Sequence, residues 1–101
     1  ALRHALGDTV LAALVEPTVV EILANPDGRI VLDVLGFGRR DTGERLSAEA
    51  RDRTIKLIAD YVGEPVTRDD PRLSGVLPET GERFQGVLPP VSSAPAFSIR
   101  K

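Results

Sequence analysis

The side chains best suited to chemistry in this sequence are three arginines of its last third, Arg72, Arg83 and Arg100, each at the edge of a short apolar run. A guanidinium stays charged at any working pH and presents a planar fork of donors that fits phosphate oxygens. Arginines on rigid strands are therefore a sound means of reaching a triphosphate held by a neighbouring surface. Composition alone favours ordinary surface arginines, and their spacing does not overturn that reading.

Other chemistries find little support. There is no Cys, one His, and no glycine loop of the Gly-x-x-x-x-Gly-Lys-Ser/Thr kind that cradles phosphates. A nucleophile–base set cannot be assembled, and His4, within the opening apolar pattern, has no second His or Cys to join it as a metal ligand. Gly36-Phe37-Gly38 matches half of a dinucleotide fingerprint but lacks the third glycine and the helix that would aim amides at a pyrophosphate. Asp69-Asp70 could ligate a divalent cation, but before Pro71 it reads more simply as a solvated loop.

Positioning the arginines requires a folded domain, and the composition supports one. The chain has 101 residues, 42% hydrophobic and 28% charged, which suits one core without disulfide or metal staples. Its 13 Lys and Arg against 15 Asp and Glu leave a net charge of −2, so direct nucleic-acid binding is not expected. The absence of Cys fits a reducing compartment. The longest apolar run, Val10 to Val15, falls far short of the ~20 residues that span a bilayer as a helix. The sequence opens at Ala1 without Met and stops at Arg100-Lys101 directly after an apolar run, so a piece of a longer protein is expected.

Apolar residues at helical spacing predict a helix over residues 2–15, short or bent at Gly7 and ending before Pro17. The β-branched run 19–24, the turn Asn25-Pro26-Asp27-Gly28 and the alternating run 29–35 predict a hairpin. Residues 39–46 read as an exposed strand or loop. Ser47 is a good N-cap, Glu49 suits a first helical turn, and Ile55, Ile58, Ala59 and Val62 recur at i, i+3, i+4 and i+7. A long helix over 48–62, stopped by Gly63, follows. Runs 73–77, 83–88 and 96–100, separated by turn chemistry, predict a small antiparallel sheet in the second half of the chain. The tetrapeptide Thr-Gly-Glu-Arg, at 42–45 and 80–83, is read as two turns and not as a repeat. The fold class is α+β, a small, mostly antiparallel sheet with helices packed on one face.

Three stretches resemble a known family. Residues 77–91, Leu-Pro-Glu-Thr-Gly-Glu-Arg-Phe-Gln-Gly-Val-Leu-Pro-Pro-Val, closed by Ala96-Phe97-Ser98-Ile99-Arg100-Lys101, are similar to the segment preceding the ATPase core in TrbB-type conjugative-transfer ATPases of the type II and type IV secretion superfamily. Residues 19–29 resemble that family's early strand and turn, and 41–47 its approach to the long helix. The resemblance covers essentially the whole chain.

It implies a PAS-like N-terminal domain, residues 1–101, of a protein that assembles as a homohexamer on the cytoplasmic side of the inner membrane beside inner-membrane secretion-system proteins. It also implies a C-terminal RecA-like domain, absent here, that binds ATP and Mg2+. This fragment alone would then be non-catalytic and would hold no cofactor by itself. By motif position the family's phosphate-approaching arginines map to Arg83 and Arg100, with Arg72 a weaker candidate. The rival reading is a free-standing PAS-like ligand-sensing or protein-interaction module, which would need a closed apolar cavity. Only four aromatics, Phe37, Tyr61, Phe84 and Phe97, are available to line one.

Overall fold

The computed structural model describes residues 2–101. The element order is α1 (Leu2–Val15), β1 (Val19–Ala24), β2 (Arg29–Val34), β3 (Gly38–Arg45), α2 (Ala48–Val62), β4 (Arg72–Val76), β5 (Arg83–Val87) and β6 (Ala96–Arg100). Helix α1 bends at Gly7, whose φ of 81° is open to glycine at little cost. Helix α2 begins where Ser47 Oγ accepts from Ala50 N–H at 3.1 Å and stops at Gly63 in the left-handed region, φ 77°. The turn between β1 and β2 closes through Gly28 N–H donating to Asn25 O at 2.9 Å. Residues 38–45 form a full edge strand, and their polar, charged side chains suit a sheet edge that must not recruit another strand.

The first hairpin and the last three strands belong to one sheet, the mostly antiparallel sheet that the α+β reading expects. All six strands pair antiparallel in the order β3-β2-β1-β6-β5-β4, because β1 pairs with β6 and so joins the first hairpin to the last three strands. One face carries the helices. Ile22, Ala24, Ile30, Leu73, Phe84, Phe97 and Ile99 of the sheet are buried with Leu6, Val10 and Ala13 of α1 and Ile55, Ile58 and Ala59 of α2 in a single core. Phe84 and Phe97 stack across neighbouring strands with centroids 5.3 Å apart. Gly86 lets α2 sit this close: a Cβ there would lie 2.9 Å from Ile55 Cγ1.

Arg51 lies on the buried side of α2, 3% exposed. Its guanidinium donates from Nε to Pro95 O at 2.6 Å, from Nη1 to Leu46 O, and from Nη2 to Pro26 O at 2.9 Å. One planar fork thus satisfies carbonyls from the β1–β2 turn, the β3–α2 junction and the β5–β6 loop. Burial lowers its pKa from the usual arginine value, and the carboxylate of Asp27 acts in the opposite direction. Arg51→Met would leave the carbonyls without these partners, each a cost of about 1–3 kcal/mol. At about 4–8 °C per kcal/mol for a domain of this size, a fall of more than about 10 °C in the melting temperature is therefore expected by calorimetry, with no recovery in Arg51→Lys, whose ammonium lacks the fork.

Candidate phosphate-facing surface

Strand alternation sorts the sheet into a core face and a helix-free face. Phe84, Ile99 and Ile22 point into the core, so their neighbours Arg83, Arg100 and Glu21 stand on the other side. The register then aligns them. Arg83 is directly opposite Arg100, Arg100 is opposite Glu21, Glu21 is opposite Asp33, and Asp33 is opposite Arg39. A single row of charges therefore crosses five strands, ending at the exposed Val76 of β4 beyond Arg83.

The Arg83–Arg100 pair is the unusual part of this row. Side chains directly opposite in an antiparallel pair have Cβ atoms about 4.5–5.5 Å apart, and like charges there repel. Both arginines are exposed, and neither takes part in any ion pair among the described residues. The end of β6 is held firmly beneath them. Lys101 N–H donates to Val20 O at 3.0 Å, while Lys101 Nζ donates to Ala13 O at 3.1 Å and Glu16 O at 2.6 Å, meeting carbonyls at the C-terminal end of α1.

Arg72 is on the same face but is not brought to the pair. It lies opposite Val87, whereas Val76, four residues further along β4, lies opposite Arg83. At 3.2–3.4 Å per residue the separation along the strand is about 13 Å. Arg72 instead lines one end of a groove of about 550 Å³, with Leu23, Ser74, Gln85, Val91 and Ser98. The remaining candidates are scattered: His4 is exposed on α1, Asp69 and Asp70 occupy an exposed loop, and Gly36-Phe37-Gly38 joins β2 to strand β3 with no helix after it. The four aromatics line no common cavity, since Phe84 and Phe97 are core residues and Phe37 and Tyr61 are 81% and 66% exposed.

Sequence reasoning missed two residues that matter to this surface. Arg51 falls four residues before Ile55, on the apolar stripe of α2, and a cation on that stripe is the signal that could have revealed it. Glu21 carries no such signal, because only the β1–β6 register makes it a neighbour of Arg100.

The fold defines a class. Over 99% of its length the chain superposes, with a TM-score of 0.87 and 24% identity, on 30% of the chain of the VirB11 ATPase from the Brucella suis type IV secretion system, solved in complex with sulphate, so this is a domain of the VirB11 fold. No family model matches the chain. It is 42% identical over 100 residues, 99% of its length, both to a probable conjugal transfer protein TrbB of Sinorhizobium fredii and to the conjugal transfer protein TrbB of Rhizobium radiobacter, and spans 30% and 31% of them. The chain is accordingly a domain of the TrbB/VirB11 type, as the motif resemblance implies. No helix among the described residues is long and apolar enough to cross a membrane.

The opposed arginines make a direct stability prediction. Arg83→Gln should stabilise the chain by about 0.2–1 kcal/mol at low salt, because a like-charge pair is removed. Urea denaturation at low and at 1 M salt checks this: the gain should shrink as the Debye length falls to ~3 Å.

Proposed function

We propose that this chain is the N-terminal, nucleotide-covering domain of a hexameric ATPase that powers conjugative transfer or type IV secretion. Arg83 and Arg100 contribute charge to the ATP phosphates held by a following RecA-like domain. The observation that carries this reading is the cross-strand Arg83–Arg100 pair, exposed on the helix-free face and without an ion-pair partner among the described residues. Such a pair costs stability as it stands and gains most from a multiply charged anion placed between the two forks. A triphosphate is such an anion.

The phosphate loop and the Mg2+-binding acid belong to the other domain, and Mg2+ would neutralise phosphate charge there. This chain's part is to cover the nucleotide and to meet charge at the γ-phosphate with guanidiniums on strands that the core and the Lys101 bonds keep in place. Loss of the γ-phosphate removes the anion that offsets the Arg83–Arg100 repulsion, so the domain is released and swings as a lid. Around a ring of six, on the cytoplasmic side of the inner membrane and against inner-membrane secretion-system proteins, such swings drive transfer. Arg72, at the far end of the groove, reaches only a more distant part of the nucleotide. Direct contact with nucleic acid has no place in this scheme.

The test is ATP turnover of the full-length protein. Arg83→Ala or Arg100→Ala should lower the rate about 10²-fold, the scale for removing one preorganised charge-stabilising donor, with hexamer mass by light scattering unchanged. Unchanged turnover in both variants would remove the arginines from the mechanism.

A further inference from the structure

We infer that the helix-bearing side of the sheet keeps a third helix position, over β2 and β3, and that its occupant is an amphipathic helix of a partner protein with basic residues along the flank facing α1. This position lies on the opposite side of the sheet from Arg83 and Arg100 and stands apart from the phosphate reading. Six strands at about 4.8 Å span about 29 Å, and two helices of about 10 Å each cover about 20 Å of that width. Helix α1 packs over β1 and β2, and α2 over β4 and β6. Close to one helix width remains at the β3 end. Every residue of β3 but Thr42 is exposed, and Leu32 and Val34 of β2, which belong to the core side, are only half-buried.

A groove of about 520 Å³ runs between α1 and β2, with Val19 and Leu32 at its floor and Asp8, Ala12 and Glu16 along the α1 wall. Steps of four residues put those three on one face of the helix, the two acids about 12 Å apart. On the other wall Arg40 of β3 lies directly opposite Leu32, and so shares its side of the sheet. Beyond Val34 the apolar line runs on to Leu35 and Phe37, 69% and 81% exposed. Leu35 N–H donates to Thr18 O at 2.8 Å, which brings the exposed Val15 at the end of α1 close to them. A recessed apolar floor continuous with an exposed apolar patch is what a docking helix requires.

The charges select the occupant. Asp8, Glu16 and Arg40 take part in no ion pair among the described residues, and one Glu16 oxygen accepts from Thr18 Oγ1 at 2.9 Å. A helix laid along the groove meets two carboxylates on one flank and a guanidinium on the other. It fits best with Lys or Arg two turns apart on the first flank and an acid on the second. An anionic lipid surface would be repelled by Asp8 and Glu16 and, being flat, would leave Val19 and Leu32 uncovered. A second copy supplies no suitable helix, because the apolar stripes of α1 and α2 already face their own core.

The measurement is titration of this chain, isotope-labelled and followed by its amide resonances, with a synthetic helical peptide. The peptide carries leucines at i, i+4, i+7 and i+11, lysines along one flank and glutamates along the other. Saturable shifts are expected at Asp8, Ala12, Glu16, Leu32 and Arg40. Ala12→Gln, which fills the groove from an exposed helix position, should weaken binding at least about tenfold, the scale of one leucine lost from the contact, whereas Tyr61→Gln on exposed α2 surface should change it less than about twofold. Asp8→Lys with Glu16→Lys should weaken the same peptide about fivefold and strengthen, by a similar factor, a version with glutamates on both flanks.

No saturable shift at millimolar peptide, shifts that avoid the groove, or equal effects of Ala12→Gln and Tyr61→Gln would overturn the helix position. Affinities unmoved by the double charge reversal would overturn the basic flank. A dimer in light scattering that Ala12→Gln abolishes would assign the groove to a second copy, and co-sedimentation with phosphatidylglycerol vesicles that Ala12→Gln abolishes would assign it to lipid. Either result overturns the partner helix.

Discussion

The pairing of β1 with β6 is the constraint on which the domain depends. Ile22 lies opposite Ile99 and Ala24 opposite Phe97, from the two ends of the chain. Without those contacts the first hairpin and the last three strands would each be a small sheet with an incomplete apolar face, and sheets that small are marginal in water. With them, Ile22, Ala24, Phe84, Phe97 and Ile99 form one surface broad enough to take both helices. The same alternation that turns these residues inward turns Glu21, Arg83 and Arg100 outward in one row. Core and candidate site are thus two faces of one register, and a shift by a single residue would exchange them.

Loops, unlike strands, do not satisfy their own carbonyls, and here a single side chain does much of that work. Arg51 reaches Pro26, Leu46 and Pro95, which belong to three connections far apart in the chain. Burying a guanidinium is costly, and the short bonds to three carbonyl dipoles together with the nearby Asp27 offset that cost. The β5–β6 loop that Arg51 holds leads directly into the strand bearing Arg100. The end of that strand is held again by Lys101 against the last turn of α1. Arg100 therefore stands on a strand fixed at both ends, which the proposed phosphate contact needs if the charge is to be placed before a ligand arrives.

The helix-free face carries the unfavourable electrostatics. Like charges face each other at Arg83 and Arg100 and again at Glu21 and Asp33, and beside them lies a groove with Arg72 at its end. A face that only had to be soluble would alternate its charges across strands. The departure from alternation recurs at Arg29 opposite Arg45 on β2 and β3, but there Asp27 and Asp41 pair with Arg29, and the edge strand β3 carries a dense mixture of both signs suited to solvent.

Much of this was legible in the sequence because it is local. Ser47 and Gly63 bracket α2, the Asn25-Pro26-Asp27-Gly28 turn sets the first hairpin, Gly7 bends α1, and period-two or period-3.6 patterns place the strands and helices within a residue or two. Each follows from dihedral preferences and neighbouring hydrogen bonds, which act over a few residues. The strand character of 38–45 was only half legible, since an edge strand shows no apolar alternation. What the tertiary structure alone decided is long-range. The pairing of β1 with β6, which fixes the strand order, depends on apolar faces meeting across more than 70 residues of chain. The burial of Arg51 depends on three loops converging. Residue types and spacing alone offered Arg72, Arg83 and Arg100 as equals, and only the motif resemblance ranked Arg72 below the other two. The register united two of them, set Arg72 apart and brought in Glu21, because which side chains share a row depends on how strands align and not on any residue's own preferences.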